Sequence, residues 1–320
     1  MKTILITGAS GFIGQALCKE LSLKYKIIAL DRRSCSSSQD TYVSVEASIE
    51  DEKALKNVCN TYLPNVVIHC AGLAHQKLNS KKNENLYENI NSIASEKIAN
   101  AAVSANPDVY FIFLSSVSVY GENRSNKRVR EIDECFPTSN YAESKLSAEI
   151  RLERLYTENF LKKLDILRLA PVYDAKWSIN LEKRVFTPKK MFYLRFGSGE
   201  QEISALARKN LIEFIDFRLK HEIKQPFSNI INVCDERPYS FNEIIEIFQK
   251  TKYQPRRKVL DVPLCIVAWP INFIALLFKN KSVWIHSFYN KLANDLVFDN
   301  KRMLDTGFKH KVGLKSVFKN

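Results

Sequence analysis

A tyrosine and a lysine one helical turn apart carry the clearest chemical potential in this sequence. Tyr141 and Lys145 open a segment with helical periodicity, which places the phenol and the ammonium on one face of the predicted helix. A nearby positive charge favours the phenolate and so lowers the pKa of a group that otherwise titrates at about 10. The spacing therefore predicts an acid or base that works near neutral pH.

Ser116 supplies a hydroxyl that fits the same chemistry. It follows the apolar run of residues 110–115 and therefore lies at the end of a predicted strand. When a hydride is transferred at a carbinol or keto carbon, such a serine hydrogen-bonds the substrate oxygen, the tyrosine passes the proton and the lysine holds the nicotinamide ribose. We predict Ser116, Tyr141 and Lys145 as a catalytic trio.

A glycine-rich turn near the N-terminus predicts the cofactor that this chemistry needs. In the run TGASGFIG, Gly8, Gly11 and Gly14 follow a β-branched segment and precede a helical one. Glycines here permit a tight turn and a close approach of the backbone to a pyrophosphate, while the helix N-terminus offers amide donors and the positive end of a dipole. The turn predicts a dinucleotide site.

The charges after the second predicted strand bear on which dinucleotide binds. Asp31 ends that strand, where a carboxylate accepts hydrogen bonds from the adenosine ribose and repels a 2′-phosphate. Arg32 and Arg33 follow at once, and a guanidinium is able to pair with such a phosphate. We predict NAD as the cofactor and leave NADP open.

A scaffold of alternating strands and helices must position these residues. The alternation predicts an α/β fold with a doubly wound parallel Rossmann sheet, in which ligands gather at the carboxyl ends of the strands. The predicted strands cover residues 3–6, 26–30, 66–69, 110–115 and 165–169. The predicted helices cover residues 12–24, 51–62, 85–105 and 141–159.

The regular alternation is lost in the second half of the chain. Aromatic and basic loops follow, with a predicted strand at residues 230–233 and a helix at residues 241–250. We predict a Rossmann domain at residues 1–172 and a smaller C-terminal α/β substrate-binding domain at residues 173–320, some segments of which return to the Rossmann sheet.

An apolar stretch at residues 262–278 and a basic tail at residues 301–319 raise the question of a membrane. The stretch nearly reaches transmembrane length but contains Pro263, Pro270 and Asn272, which favours buried or interfacial helices over a span. The net charge of +13 fits a solvated surface, an anionic substrate or an acidic membrane surface, and no motif accompanies it that predicts nucleic-acid binding. We predict a cytoplasmic protein and leave peripheral membrane contact open.

The cysteines and histidines do not predict a metal site. The seven cysteines form no CxxC pair and no Cys/His cluster with metal spacing, and their scattered, odd number indicates a reducing compartment. His69 and His75 have no partner ligands, so packing in the core or a loop is the better interpretation of both.

Taken together, these motifs resemble the extended short-chain dehydrogenase/reductase family, particularly its nucleotide-sugar epimerases, dehydratases and 4-reductases. The resemblance covers residues 1–173 and implies an NAD(P)-dependent enzyme that acts at C4 of a nucleotide-diphosphate sugar, as an epimerase or a 4-keto-sugar reductase. It also implies a homodimer formed through the helices that carry Asn91 and Tyr141. The cofactor-binding residues that it implies are Gly8, Gly11, Phe12, Ile13, Gly14, Asp31, Ala71, Gly72, Asn91 and Pro171. To these we add Arg32 and Cys70 from their places at strand ends, and Ser48 and Ile49, which depart from the Asp-Ile or Asp-Leu pair that contacts adenine in many members.

Departures from the family pattern narrow the function. Val117 and Ser118 occupy the places of the Asp-Glu pair of 4,6-dehydratases, which argues against dehydration. Ile203 and Asn210 stand where the family carries an arginine for the nucleotide phosphates and an aspartate. We predict that Arg195, Arg208, Lys183 or Arg184 supplies the missing charge, with Arg184 and Arg195 as the chosen candidates, and that Asn180 either contacts the substrate or caps the following helix. The alternatives are an extended short-chain dehydrogenase that acts on a steroid, a flavonoid alcohol or a lipid-linked sugar, and a non-catalytic NAD(P)-binding sensor.

Overall fold

The computed structural model of the chain describes two compact units. The first unit comprises Met1–Val119, Ser139–Arg168 and Ile215–Ile231, and the second comprises Tyr120–Thr138, Leu169–Phe214 and Asn232–Asn320. The units interleave along the chain, and the predicted domain boundary after residue 172 stays a prediction. The structure describes residues 1–35, 41–74, 82–121, 128–187, 189–221, 225–251, 257–266, 289–290 and 292–319.

A seven-stranded sheet with the order β11-β6-β5-β4-β1-β2-β3 is the largest sheet of the described residues. The pairs from β3 through β2, β1 and β4 to β5 are parallel. The order 3-2-1-4-5-6 is that of a doubly wound Rossmann sheet, so the predicted fold class is confirmed. The strands are β1 Thr3–Thr7, β2 Lys26–Asp31, β3 Val43–Glu46, β4 Val66–His69, β5 Tyr110–Ser116, β6 Lys163–Leu169 and β11 Phe227–Val233.

Helices flank this sheet at nearly the predicted places. Asp51 and Ser139 cap two of them, since their side chains accept hydrogen bonds from the N–H groups of Ala54 and Ala142. The predicted helix over residues 85–105 is interrupted by a π-helical turn. The helices are α1 Gly14–Leu21, α2 Glu52–Tyr62, α3 Lys82–Tyr87, the π-helical turn Glu88–Ile93, α4 Ala94–Ala105, α5 Asn140–Thr157 and α7 Arg208–Lys220, which runs from the second unit into the first.

Two strands of the sheet differ from the sequence-based expectation. β3 was not predicted, because none of its four residues is fully buried and its hydrophobic signal is weak. β11 begins at Phe227, three residues before the predicted strand, and joins β6 at the edge of the Rossmann sheet.

The second unit is built from short strand pairs and helices around its own core. Ile203, Phe241 and Phe248 are buried in that core. A smaller C-terminal α/β unit is therefore present. Its paired strands are β7 Val172–Tyr173 with β10 Leu206–Ala207, β8 Tyr193–Phe196 with β13 Val259–Val262, and β9 Glu202–Ile203 with β12 Tyr239–Ser240. The helices that the structure bounds within this unit include α6 Ile179–Val185, α8 Phe241–Lys250, α9 Lys301–Asp305 and α10 Leu314–Val317.

The apolar stretch at residues 262–278 falls largely outside the described residues. Of its members, the structure describes residues 262–266, in which Ile266 is 63% exposed. No helix among the described parts of the chain has the length and apolarity to cross a membrane.

Candidate active site

The glycine turn after β1 packs directly against the segment that follows β4. Gly8 has a φ of 69°, in the left-handed region that glycine adopts at low cost, and a Cβ there would lie 2.7 Å from the backbone nitrogen and Cα of Ala71. A Cβ on Gly14 would lie 2.1 Å from the carbonyl oxygen of Gly8. Both positions therefore require glycine. The first turn of α1 carries no acidic residue, so its N-terminal dipole favours an anion.

Asp31 at the end of β2 presents an oriented carboxylate beside this turn. One oxygen accepts the N–H of Ser10 at 3.0 Å, and the other accepts the N–H of Arg32 at 2.7 Å. A carboxylate held at this place fits the ribose hydroxyls of a dinucleotide. Arg32 and Arg33 are exposed. The cleft at this edge of the sheet is lined by Gly8, Ser10, Gly11, Asp31, Arg32, Ala47, Ile49, Glu50, Cys70, Ala71, Gly72, Leu73 and Ile90.

Asn91, in the π-helical turn, fixes the loop after β4. Its Oδ1 accepts the N–H of Leu73 at 2.7 Å, and its Nδ2 donates to the carbonyl of Leu73 at 3.1 Å and to the hydroxyl of Ser144 at 2.9 Å. Ser144 in turn donates to the carbonyl of Tyr141. A Cβ on Gly72 would lie 2.9 Å from the Asn91 Oδ1. The buried asparagine therefore links the wall of the cleft to α5.

His69 is a fully buried link in the same region. The Ser95 hydroxyl donates to the carbonyl of Asn91, so it accepts from His69 Nε2, while His69 Nδ1 accepts from the Thr7 hydroxyl at 2.6 Å. Thr7 accepts the N–H of Ala71 at 3.3 Å. Burial lowers the pKa of His69 to about 3, with a smaller effect from Lys145, so the ring is neutral. The expected packing role of His69 is confirmed, and His75 lies outside the described residues.

The predicted trio lies together in the first unit. Ser116 lies close enough to Tyr141 to lower the pKa of its phenol as a hydrogen-bonding neighbour, and the Ser116 Oγ accepts the N–H of Ser118 at 3.2 Å. Lys145 Nζ donates to the carbonyl of Leu114 at 2.9 Å and lies 4.6 Å from the ring centroid of Phe113. β5 and α5 therefore bring the three side chains to one edge of the sheet, at the carboxyl end of β5.

The charges of the trio differ from the sequence-based expectation in one respect. Burial raises the pKa of Tyr141, the hydrogen bond from Ser116 opposes this rise, and Tyr87 adds to it. The prediction of a lowered pKa for Tyr141 is therefore wrong, because desolvation of the phenolate outweighs its stabilisation. Burial lowers the pKa of Lys145 to about 8, and Cys70 and Glu149 oppose that decrease.

The remaining predicted cofactor residues of the first unit take several positions. Phe12 and Ile13 precede α1, and Ile13 is its N-cap. Ile49 is buried and lines the cleft. The hydroxyl of Ser48 accepts the N–H of Glu50 at 3.2 Å, so it has a local structural partner.

The predicted residues of the second unit form no comparable cluster in the contacts described. Pro171 accepts the N–H of Leu206 through its carbonyl. Arg195 Nε forms an ion pair with Asp261 at 2.5 Å, and Arg184 lies in the last turn of α6. Asn180 lies within α6, whose N-cap is Ser178, so its predicted capping role is wrong.

Ile203 and Asn210, at the two departures from the family pattern, have structural partners. Ile203 is 1% exposed in the core of the second unit. Asn210 Nδ2 donates to Asp235 Oδ1 at 2.7 Å and to the carbonyl of Val312 at 2.8 Å, and its Oδ1 accepts the N–H of Lys311. These positions therefore hold the second unit together.

Sequence reasoning missed several polar residues that hold the site. Thr7, Ser95 and Ser144 orient its backbone, and Glu149, with its partner Arg168, lies on the helix face of Tyr141 and Lys145. Their signal is a polar side chain within an otherwise apolar buried segment. Within the described residues, no group of three or more His, Cys, Asp or Glu side chains has the arrangement of a metal site, and no disulfide joins any of the seven cysteines.

The Rossmann sheet, the glycine turn that admits backbone alone and the oriented Asp31 define a dinucleotide-dependent enzyme of the short-chain dehydrogenase class. The chain belongs to the NAD dependent epimerase/dehydratase family, whose model matches residues 4–188. The resemblance to extended short-chain dehydrogenases, and the prediction of NAD at the level of this family, are confirmed.

Known proteins are similar to this chain over nearly its full length. The protein is 30% identical to UDP-glucose 4-epimerase of Vibrio cholerae over 99% of this chain and 94% of that protein. It is 27% identical to a decarboxylating sterol-4-alpha-carboxylate 3-dehydrogenase of Dictyostelium discoideum, over 98% and 97% of the two chains. The solved UDP-glucose 4-epimerase of Thermotoga maritima, with UDP-glucose, matches with a TM-score of 0.71 at 23% identity, over 99% and 96% of the chains, which supports the fold.

Proposed function

We propose that this protein is an NAD-dependent epimerase that inverts C4 of a nucleotide-diphosphate sugar. The observation that carries the proposal is the meeting of Ser116, Tyr141 and Lys145 at the carboxyl end of β5, in the same unit as the glycine turn and Asp31. The similarity to the Vibrio cholerae UDP-glucose 4-epimerase along nearly the full length of both chains supports the choice of reaction.

The residues of the site divide the work of the reaction among them. Bound NAD supplies the acceptor and donor of hydride at the sugar carbon. Ser116, oriented by the N–H of Ser118, hydrogen-bonds the substrate oxygen, and Tyr141 Oη takes the proton of that hydroxyl and later returns it. One of the three N–H groups of the Lys145 ammonium donates to the carbonyl of Leu114. The other two are then able to donate to the nicotinamide ribose. Burial raises the pKa of Tyr141, and we expect the positive charge of Lys145, one helical turn away, to favour loss of the Tyr141 proton.

The cleft of the first unit holds the rest of the cofactor in this proposal. The amides of the glycine turn and of α1 bind the pyrophosphate, and Asp31 binds the adenosine ribose. Because both Asp31 oxygens are fixed by backbone N–H groups, the carboxylate cannot turn away from a 2′-phosphate without losing those bonds. This favours NAD over NADP, although Arg32 and Arg33 are exposed beside it.

Dehydration lacks the groups that it needs. Val117 offers no acid or base, and the hydroxyl of Ser118, buried without a hydrogen-bond partner among the described residues, is too weak an acid to replace a carboxyl. In the second unit, we propose that Asn180, Arg184 and Arg195 contact the substrate. The diphosphate then binds without the arginine that the family carries at the position of Ile203.

The test is to incubate the purified protein and NAD with UDP- and dTDP-linked sugars, while following both NADH absorbance and the sugar products. Interconversion of C4 epimers without a net change in NADH supports the proposal. Net NADH oxidation by a 4-keto sugar identifies a 4-reductase instead, which the same trio is able to serve. No change with any such sugar contradicts both.

One observation favours a second class of substrate. Ile203 is buried in the core where a phosphate arginine would stand, so a substrate without a nucleotide diphosphate also fits the second unit. The Dictyostelium sterol-4-alpha-carboxylate 3-dehydrogenase is a relative over nearly the full chain. Sterols and polyprenyl-linked sugars therefore belong among the substrates to be tested. Turnover of one of these compounds, without turnover of any nucleotide sugar, would support a substrate that carries no nucleotide diphosphate.

The oligomeric state and membrane contact of the protein are predicted from the sequence. Homodimerisation through α4 and α5 stays a prediction, and Ile150 on α5, 62% exposed, is an apolar side chain available to such a contact. Peripheral membrane contact through residues 262–278 and the basic tail also stays a prediction, because residues 267–278 lie outside the described part of the chain.

A further inference from the structure

One face of α5 carries a third polar residue beyond the predicted trio. Tyr141, Lys145 and Glu149 are spaced by four residues, so they lie on three successive turns of the same face. Each of them contacts a different one of three consecutive residues of β5. The contacts are Tyr141 with Ser116, Lys145 with Leu114, and Glu149 with Ser115.

Glu149 is buried and fully engaged. Its side chain is 3% exposed and that of Arg168, on β6, is 5% exposed. Arg168 Nη2 donates to Glu149 Oε2 at 2.7 Å, and its Nε lies 3.1 Å from both carboxylate oxygens. Ser115 donates its hydroxyl to Oε1. The carboxylate therefore fastens α5 to β5 and β6 at once.

We propose that Glu149 is a positioning residue of the active site, which with Arg168 and Ser115 sets the position of α5 on the sheet and keeps Lys145 in its ammonium form. The proposal rests on the function assigned above to Lys145. It assigns to Glu149 no contact with substrate or cofactor. Its effect reaches the reaction through Lys145, one turn away.

The surroundings of Lys145 explain why its charge needs support. Burial lowers its pKa to about 8, whereas Cys70 and Glu149 act to raise it. The other titratable groups near it are His69, which is neutral, and Tyr141, with Tyr87 beyond it. β5 contributes the carbonyl of Leu114 and the ring of Phe113, which carry no formal charge. Glu149 is thus the carboxylate that favours the ammonium.

The direction of the effect follows from the charges. Without the negative charge of Glu149, the pKa of Lys145 falls further below 8, so the ammonium is lost at a lower pH as the pH rises. Because the ammonium form is needed for turnover, the alkaline limb of kcat/KM moves to lower pH, by about one unit for the loss of one nearby carboxylate.

A second buried ion pair on β6 provides the matched control. Asp165 is fully buried, and it accepts hydrogen bonds from Tyr110, from Arg218 Nε at 2.8 Å and from Asn229 at 2.9 Å. The charges that act on the pKa of Lys145 come from Cys70 and Glu149, and Asp165 is not among them. Loss of either pair leaves a buried guanidinium without its carboxylate and should reduce stability, but loss of the Glu149 pair alone should also change the pH profile.

The experiment compares E149Q, the double variant E149Q/R168M and D165N, all as full-length holoenzyme, through kcat/KM between pH 6 and roughly 10, a range chosen to bracket the Lys145 pKa. The double variant removes the unpaired guanidinium and guards against misfolding of E149Q. We expect the alkaline limb of both Glu149 variants to move down by about one pH unit, while D165N keeps the wild-type limb. A wild-type limb in a folded Glu149 variant overturns the proposal.

A direct titration separates this proposal from the proposed function. In protein labelled with isotopic lysine, the side-chain NMR signal that K145R removes reports the pKa of Lys145 without any turnover. If the wild-type protein acts on no sugar but E149Q lowers that pKa, the function is wrong and the electrostatic role of Glu149 stands. An unchanged Lys145 pKa in E149Q and in the double variant rejects the role, whatever the activity.

Discussion

The two units of this protein keep their family resemblance to very different degrees. In the first unit, the glycine turn, Asp31, Asn91 and the Ser-Tyr-Lys trio all lie at one edge of the sheet. In the second, the sequence predicts that Asn210 stands at the family's aspartate and Ile203 at the arginine for the nucleotide phosphates. The residues predicted to bind the cofactor lie together, whereas the residues predicted to bind the substrate form no comparable cluster in the contacts described.

The difference has a physical basis in what each unit requires of its residues. Gly8 cannot accept a side chain, because a Cβ would overlap the backbone of Ala71. The turn therefore tolerates no substitution at this position. In the second unit, Asn210 is bonded to Asp235 and Val312, and Ile203 is packed in the core. Those two positions serve the stability of their unit, so simply restoring the family residues should not restore the family's substrate binding.

The largest expected effect tests the catalytic half of the comparison. Y141F removes the hydroxyl that moves the proton and leaves the cleft, Asp31 and Lys145 in place. We expect kcat to fall by about 10²–10⁴, the usual contribution of a positioned acid or base. NAD affinity, measured by calorimetry, should stay within twofold or so of the wild type, because the proposed cofactor contacts involve other residues.

The matched control for this change is Y87F. Tyr87 is a buried tyrosine that acts on Tyr141 electrostatically, and we expect its variant to keep most of the activity. If Y141F retains the biological role of the protein while sugar turnover is lost, the intact first unit serves as an NAD sensor and not as a catalyst.

The next effect concerns stability in the second unit. N210D restores the family's aspartate but places a carboxylate where Asn210 Nδ2 now donates to Asp235, 2.7 Å away. Burial already raises the pKa of Asp235, and a second carboxylate raises the pKa of the pair further. We expect the free energy of unfolding in urea to fall by about 2 kcal/mol at pH 8, within the range for a lost buried hydrogen bond.

The sign of the pH dependence makes this prediction specific. A carboxyl with a raised pKa in the folded state contributes stability when it is protonated, and this contribution is lost as pH rises through the folded pKa. N210D should therefore recover toward wild-type stability as pH is lowered from 8 to about 5, in the range where such a raised carboxyl takes up its proton. N294D, whose amide faces the neutral Asn290, is the control and should stay near the wild type. An N210D protein as stable as the wild type at pH 8 would show that Asn210 is a replaceable residue.

The sequence was sufficient for the parts of the fold that rest on local patterns. β1, β2, β4 and β5 are apolar runs bounded by turns, and their order follows from the alternation with helices. β3 escaped prediction because it is only partly buried. The π-helical turn at residues 88–93 could not be predicted either, because one extra residue in a turn hardly changes the spacing of apolar residues along a helix.

The site was predictable where a residue type has one explanation. The glycines before α1 and the Tyr141-Lys145 pair have spacings that indicate one function. The sequence around Glu149 predicts an exposed helix residue, and only the fold shows that Glu149 is buried against Arg168. The raised pKa of Tyr141 had the same cause, since burial is a tertiary property. Burial and long-range pairing are thus what the local pattern left out.

The smallest expected effect tests the proposed substrate contacts of the second unit. Arg195 and Asp261 form an exposed ion pair, which contributes little to stability, so R195Q should fold as the wild type does. If Arg195 replaces the missing phosphate arginine, KM for the nucleotide sugar should rise about tenfold with kcat unchanged, the signature of lost uniform binding. D261N, which frees the guanidinium, should leave KM unchanged or lower it. An R195Q enzyme with wild-type KM would restrict Arg195 to its pair with Asp261 and direct the search for the phosphate contact to Lys183 and Arg184, in the last turn of α6, and to Arg208.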